Sequence, residues 1–129
     1  MVTAQSYEKL SENKGKIMFI DVRTPKEYEE ARIPGAVNIP VFSNSEREII
    51  GTIYKQEGKR SAIREALKTV GPKVLDLYTQ FEECHKGKNR MVVYCERGGM
   101  RSSTITALMK ELSLPLVKLE GGYKGYRQY

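Results

Sequence analysis

The chain has 129 residues, with 22 Lys and Arg against 16 Asp and Glu and a net charge of +6. A length of this order fits one domain over residues 1–129 with its own hydrophobic core, so neither disulfides nor a structural metal is needed for stability. Two Cys and one His exclude a four-ligand zinc site and read as separate reduced thiols, Cys84 and Cys95, in a cytoplasmic protein with no bound metal or cofactor.

Strand and helix patterns alternate along the chain, which predicts an α/β fold with a mainly parallel sheet of about five strands covered by helices on both faces. Residues 6–13 read as a short helix and residues 16–22 as a buried strand around Ile17-Met18-Phe19-Ile20, ending in Asp21-Val22-Arg23. Thr24 is placed to cap a helix that starts at Pro25 and runs to Glu30. Residues 33–40 turn through Pro34-Gly35 into a short strand. One helix is expected from Ser45 to about Gln56, with Ile49, Ile50 and Ile53 inward, and a second from Ser61 into the low 80s. A strand over 91–94, a helix over 101–112 and a strand over 116–119 follow, and Gly121-Gly122 then turn into a C-terminal helix. No run reaches membrane-spanning length and the first residues do not form a leader, so no membrane contact is expected. The positive charge permits an RNA partner, but the basic residues are dispersed, concentrating only at 55–64 and 118–127, so a phosphate-binding face has to be assembled by folding.

The chemistry concentrates at Cys95. It follows the apolar strand and opens the loop Cys95-Glu96-Arg97-Gly98-Gly99-Met100-Arg101-Ser102, after which helical periodicity begins. A thiol delivered into a glycine-rich turn at a helix N-terminus meets backbone N–H groups and the positive end of the helix, both of which favour the thiolate. Arg97 and Arg101 add positive charge and are candidates to grip a phosphate-like anion. The alternative for Cys95 is a buried strand-end thiol, and for Arg97 a solvated loop charge. Ser102 and Ser103 read first as caps of the following helix, with hydroxyl donation to the sulfur as the alternative. Asp21 and Arg23 reach the same sheet edge, either shaping the pocket or tying strand to loop as an ion pair. His85 and Cys84 are read as structural.

Three segments carry a resemblance to the rhodanese-like superfamily of sulfurtransferases: Asp21-Val22-Arg23 with Glu27-Tyr28, residues 32–40, and Leu119-Glu120-Gly121-Gly122-Tyr123. A narrower resemblance, to the N-terminal domain of the tRNA 2-selenouridine synthase family, rests on Asn44-Ser45-Glu46-Arg47, Gly51-Thr52-Ile53-Tyr54-Lys55-Gln56-Glu57-Gly58, the Cys95 loop and residues 119–127. That family replaces the sulfur of wobble 2-thiouridine with selenium from selenophosphate, through an S-geranylated intermediate. The resemblance implies Cys95 as nucleophile, selenophosphate or a persulfide donor as co-substrate, tRNA as partner, and a C-terminal P-loop domain for which this sequence contains no motif. Arg47, Tyr54, Lys55, Tyr123 and Lys124 then become candidate pocket or tRNA contacts, with Tyr126 and Arg127 beside them. Packing of an amphipathic helix, or of a C-terminal helix on the core, is the alternative for the same residues. Three other readings stay open: a generic thiosulfate or persulfide sulfurtransferase; a phosphatase of the same fold, from the Cys95-to-Arg101 spacing; and a non-catalytic binding module. Against the phosphatase, Tyr94 stands where such enzymes usually have His, and the loop contains no obvious general acid.

Overall fold

Burial alternates along the central strands. In the computed structural model, which describes residues 4–7, 17–87 and 90–128, Met91 and Val93 pack on one side of the sheet and Val92 and Tyr94 on the other. A strand covered on both faces is apolar throughout, which is why Arg90–Tyr94 carries no polar alternation.

The elements in chain order are β1 (Ala4–Gln5), β2 (Ile17–Asp21), α1 (Pro25–Glu30), β3 (Val37–Asn38), α2 (Asn44–Glu57), α3 (Lys59–Val70), a 3-10 turn (Gly71–Lys73), α4 (Val74–His85), β4 (Arg90–Tyr94), α5 (Met100–Glu111), β5 (Leu116–Leu119) and α6 (Gly122–Arg127). The sheet has five strands in the order β1-β5-β4-β2-β3, and every pairing among them is parallel. Ile50 and Ile53 of α2, Ala62 of α3, Leu77 and Phe81 of α4 and Ile105 and Met109 of α5 cover one face. Tyr28 of α1, Tyr123 and Tyr126 of α6, and Tyr7 cover the other with Ile33 and Ala36. The expected α/β architecture is present.

The chain leaves β2 toward β3 on one side and leaves β4 toward β5 on the other. The carboxyl ends of β2 and β4 are therefore the point where strand order reverses, the usual place for a ligand crevice in an open sheet. Asp21-Val22-Arg23 and Cys95 arrive there together, with the Val22 N–H donating to the Tyr94 carbonyl at 3.0 Å.

Thr24 caps α1 through a reciprocal capping box with Glu27, and Pro25 opens the helix. Three expectations differ. The cap of α2 is Ser43, whose box partner is Glu46. The helix expected from Ser61 into the low 80s is two helices, because Gly71-Pro72 interrupts it and Pro72 has no N–H to continue the ladder. Ile49 points outward at 54% exposure, because it lies about 100° around α2 from the buried Ile50, at the outer edge of the apolar face that Ile53 shares. The helix expected over 6–13 lies outside the described residues except for Ser6 and Tyr7. Among the described residues, no helix is long and apolar enough to cross a membrane.

Candidate active site at the Cys95 loop

β4 carries Cys95 into the crevice with only 3% of its surface exposed. Its Sγ lies 3.1 Å from the Ser102 hydroxyl, which also reaches the Gly99 carbonyl at 3.3 Å. Ser102 is fully buried. The cap position of α5 is Gly99, without a side-chain capping bond, so the cap reading of Ser102 gives way to the contact with sulfur. Ser103 faces elsewhere, accepting from the Lys118 ammonium at 2.7 Å.

The loop is clasped from below by α6. The Tyr123 N–H donates to the Cys95 carbonyl and the Lys124 N–H to the Glu96 carbonyl, both at 2.8 Å. In a planar trans peptide the N–H points opposite to the C=O, so the N–H groups of Glu96 and Arg97 turn away from α6. Among the described residues, the N–H groups of 96–102 have no hydrogen-bond acceptor. Unpaired donors in a loop headed by a thiol suit an anion. The clasp requires glycine at 122, since a Cβ there would stand 2.3 Å from the Cys95 carbonyl oxygen, at φ +59°. Gly98, at φ +70°, is constrained by its left-handed backbone, with a milder approach of 3.2 Å from a Cβ to the Gly121 nitrogen. Gly99 needs no such freedom: its φ is −86° and the space beside it is open.

Arg23 is the buttress of this edge. It is buried and forks onto the equally buried Asp21, with Nε to Oδ1 at 3.0 Å and Nη2 to Oδ2 at 2.8 Å. It also donates to Glu96 Oε1 at 3.0 Å and to the Ala31 carbonyl at 2.6 Å, and its guanidinium lies 4.5 Å from the centre of the Tyr123 ring. Burial opposes its charge, but the bonds and charge of Asp21 outweigh burial and hold Arg23 protonated above its ordinary range. With these donors engaged inside the protein, the ion-pair reading of Asp21 and Arg23 stands. Glu96 turns toward this pair. Tyr94 supports it from below, its hydroxyl accepting from the Ile33 N–H at 3.2 Å, and burial followed by Asp21 raises its pKa.

Arg101 forks onto Glu27, with Nη1 to Oε1 at 2.7 Å and Nη2 to Oε2 at 3.3 Å. Burial alone would raise the Glu27 pKa, yet Arg101 and the Thr24 cap pull it down to about 2. Sequence reasoning missed Glu27 as the partner; its only local signal, the capping box three residues after Thr24, speaks of a helix start. Arg47, on the first turns of α2, is exposed. Desolvation of its guanidinium and then repulsion by Arg101 lower its pKa, with Glu27 and Cys95 acting in the opposite direction.

Arg47 and Arg101 both line a groove of about 400 Å³ between α2, α3 and α5, whose remaining walls include Phe42, Ile50, Ala62, Ile63, Ala66, Val70, Ile105 and Leu108. Tyr54 and Met100 stand on it, each 57% exposed.

The other expected contacts separate. Tyr123 is 8% exposed and stacks against Tyr94 and Arg23, and Tyr126 packs on Tyr7. Tyr123 is part of the second core cluster and Tyr126 packs against it, as the C-terminal-helix alternative expects. Glu46 forms an ion pair with Lys73 and closes the Ser43 cap. Thr52, Lys55, Gln56 and Arg127 are exposed and Lys124 is half-buried. Arg97 is exposed and has no side-chain partner among the described residues. Cys84 packs against the main core, and burial raises its thiol pKa. Among the described residues, no group of three His, Cys, Asp or Glu side chains is placed to hold a metal ion.

Comparison with known proteins gives these features a family. Residues 3–129 match the family described as rhodanese-like domain. The chain is 36% identical over 114 residues to the tRNA 2-selenouridine synthase of Nitrosomonas europaea, covering 85% of this chain and 29% of that protein. It is 37% identical over 117 residues to the protein of that name from Bdellovibrio bacteriovorus, covering 88% of this chain and 30% of that one. The chain thus spans about a third or less of the length of these curated relatives. Among solved structures, the "N-terminal domain of putative ATP/GTP binding protein" from Clostridium difficile 630 superposes with a TM-score of 0.91 at 43% identity, covering 99% of this chain and 97% of that one. A rhodanese-related protein from Thermoplasma volcanium shares the fold at a TM-score of 0.60 and 18% identity, covering 98% of this chain and 91% of that one. The chain belongs to the rhodanese-like domain family, and within it resembles the N-terminal region of the tRNA 2-selenouridine synthases.

Proposed function

We propose that this domain performs the thiol step of tRNA 2-selenouridine synthesis, with Cys95 as nucleophile. The observation that carries the reading is the buried Cys95 sulfur, 3.1 Å from the Ser102 hydroxyl, at the head of a loop whose N–H groups have no acceptor among the described residues. Those donors suit an anion that develops on or beside the sulfur, as an oxyanion hole does.

Two steps are open to such a thiolate. With a sulfane donor such as thiosulfate, Cys95 bonds to the outer sulfur, the donor's S–S bond breaks, and its electron pair leaves on sulfite, giving a persulfide. With an S-alkylated 2-thiouridine, Cys95 bonds to C2 of the base and the C2–S bond breaks, its pair leaving as the alkyl thiolate. Selenophosphate then displaces Cys95 from C2 and loses its phosphoryl group to water. The apolar groove beside Arg101 favours the second step, because it offers a dry wall to an alkyl substituent. The fork between Arg101 and Glu27 disfavours the phosphatase reading, which needs that arginine on the phosphate.

Intact-protein mass spectrometry tests this. Wild type and Cys95→Ser are each treated with thiosulfate, and separately with an anticodon stem-loop bearing S-geranylated 2-thiouridine. The expected result is a Cys95-dependent covalent adduct with the stem-loop, discharged by selenophosphate to give 2-selenouridine. A sulfur gain from thiosulfate alone would make the domain a general sulfurtransferase, and no adduct with either would overturn the nucleophile assignment.

A further inference from the structure

Arg47, Arg101 and Lys59 all line the groove between α2, α3 and α5, and of its two guanidiniums one is hydrogen-bonded to a carboxylate. The Arg101 fork is taken up by Glu27. Arg47 makes no side-chain hydrogen bond or ion pair among the described residues, although it lies close enough to Arg101 for repulsion to act on its charge. Its root is fixed: the Ser43 box caps α2, and Asn44 Oδ1 accepts the Lys26 N–H at 3.0 Å, fastening α2 to α1. An arginine with its donors unused, in one groove with the like charge of Arg101 and within electrostatic reach of Cys95 and Glu27, is an arrangement that an oxyanion stabilises. Arg97 is not among the residues lining the groove.

We propose that Arg47 is the substrate-binding arginine of this site, gripping the tetrahedral phosphoryl-type oxyanion of a small donor at Cys95, while Arg101 is a positioning residue held by Glu27. The proposal rests on the reading of Cys95 as the reacting sulfur and names the residue that presents the donor to it. It reverses the weight that sequence places on Arg101, whose spacing from Cys95 suggested that it returns to the bound anion.

The test is a titration of inorganic phosphate into isotope-labelled protein, followed by the amide NMR signals of Gly98, Gly99 and Ser102. Wild type, Arg47→Gln, Arg47→Lys and Arg64→Gln are compared, the last removing the same charge from an exposed position outside the groove lining. The expected result is saturable shifts in wild type and Arg64→Gln, affinity reduced about 10-fold or more in Arg47→Gln, and a smaller loss in Arg47→Lys, which keeps the charge but not the fork. Absence of saturable shifts in wild type, or equal affinity in Arg47→Gln, overturns the proposal. A second titration with dimethyl phosphate separates the source: weaker binding than phosphate supports a small donor, and equal or tighter binding overturns it in favour of an RNA backbone. The titration involves no chalcogen transfer, so failure of the nucleophile assignment for Cys95 would leave its result standing.

Discussion

The Cys95 loop and the α2–α3 insert border the same groove and are built in opposite ways. The loop is tied on three sides: its carbonyls to α6, Glu96 to Arg23, and Arg101 to Glu27. The insert packs inward through Ile50, Ile53 and Ala62, while Ile49, Tyr54 and Leu67 remain more than half exposed. A reacting sulfur gains from fixed surroundings, because donors aimed in advance need no reorganisation. On the proposed function the groove wall would receive the rest of the substrate, and such a wall gains from accessible surface instead.

The two regions should therefore respond oppositely to the same chemical change. Gly122→Ala would press a methyl against the Cys95 carbonyl at 2.3 Å, in a left-handed conformation. It is expected to destabilise the fold by about 3 kcal/mol or more in urea unfolding, and a loss under 1 kcal/mol would show that the clasp is loose. Glu27→Gln should cost roughly 1–3 kcal/mol at pH 7, the upper value reduced because the carboxylate is 29% exposed. Its folded pKa of about 2 lies below the ordinary 4.5, so the contribution is complete above pH 4.5 and drains away as pH falls toward 2. The stability gap between wild type and variant must then narrow by pH 3, and a constant gap would rule out the Arg101 pair as its source. Gly51→Ala is the smallest change. It lies within α2 with open space around it, so it should stabilise the protein by roughly 0.5–1 kcal/mol through helix propensity.

What was legible in the sequence divides along a related line. The β4–loop–α5 unit is contiguous, so the strand, the thiol and the helix start could be read from about a dozen neighbouring residues. The insert, read by periodicity, gave one helix too few because Gly71-Pro72 breaks an otherwise continuous apolar pattern. The site's supporting contacts were the least legible. Arg101 meets a carboxylate 74 positions away, and no spacing rule connects Glu27 to it. Tyr123 and Tyr126 alternate with basic residues as an RNA-binding segment would, yet Tyr123 is buried under the Arg23 guanidinium and Tyr126 packs edge-on against Tyr7. Ser102 looked like a cap for a purely local reason, and its real neighbour became visible only when β4 and α5 were folded against each other.

That neighbour has a consequence for how the site registers its own charge. The Ser102 hydroxyl owns a single hydrogen, and two acceptors lie within its reach, the Cys95 sulfur at 3.1 Å and the Gly99 carbonyl at 3.3 Å. While the sulfur carries its proton, it donates to Ser102 and the hydroxyl is free to donate to Gly99. A sulfur without its proton can only accept, so the hydroxyl hydrogen then turns to it and the Gly99 carbonyl keeps the Ser103 N–H at 3.1 Å. On the proposed function, the charge of the sulfur would thus be mirrored at the entrance of α5 by the direction of one hydroxyl.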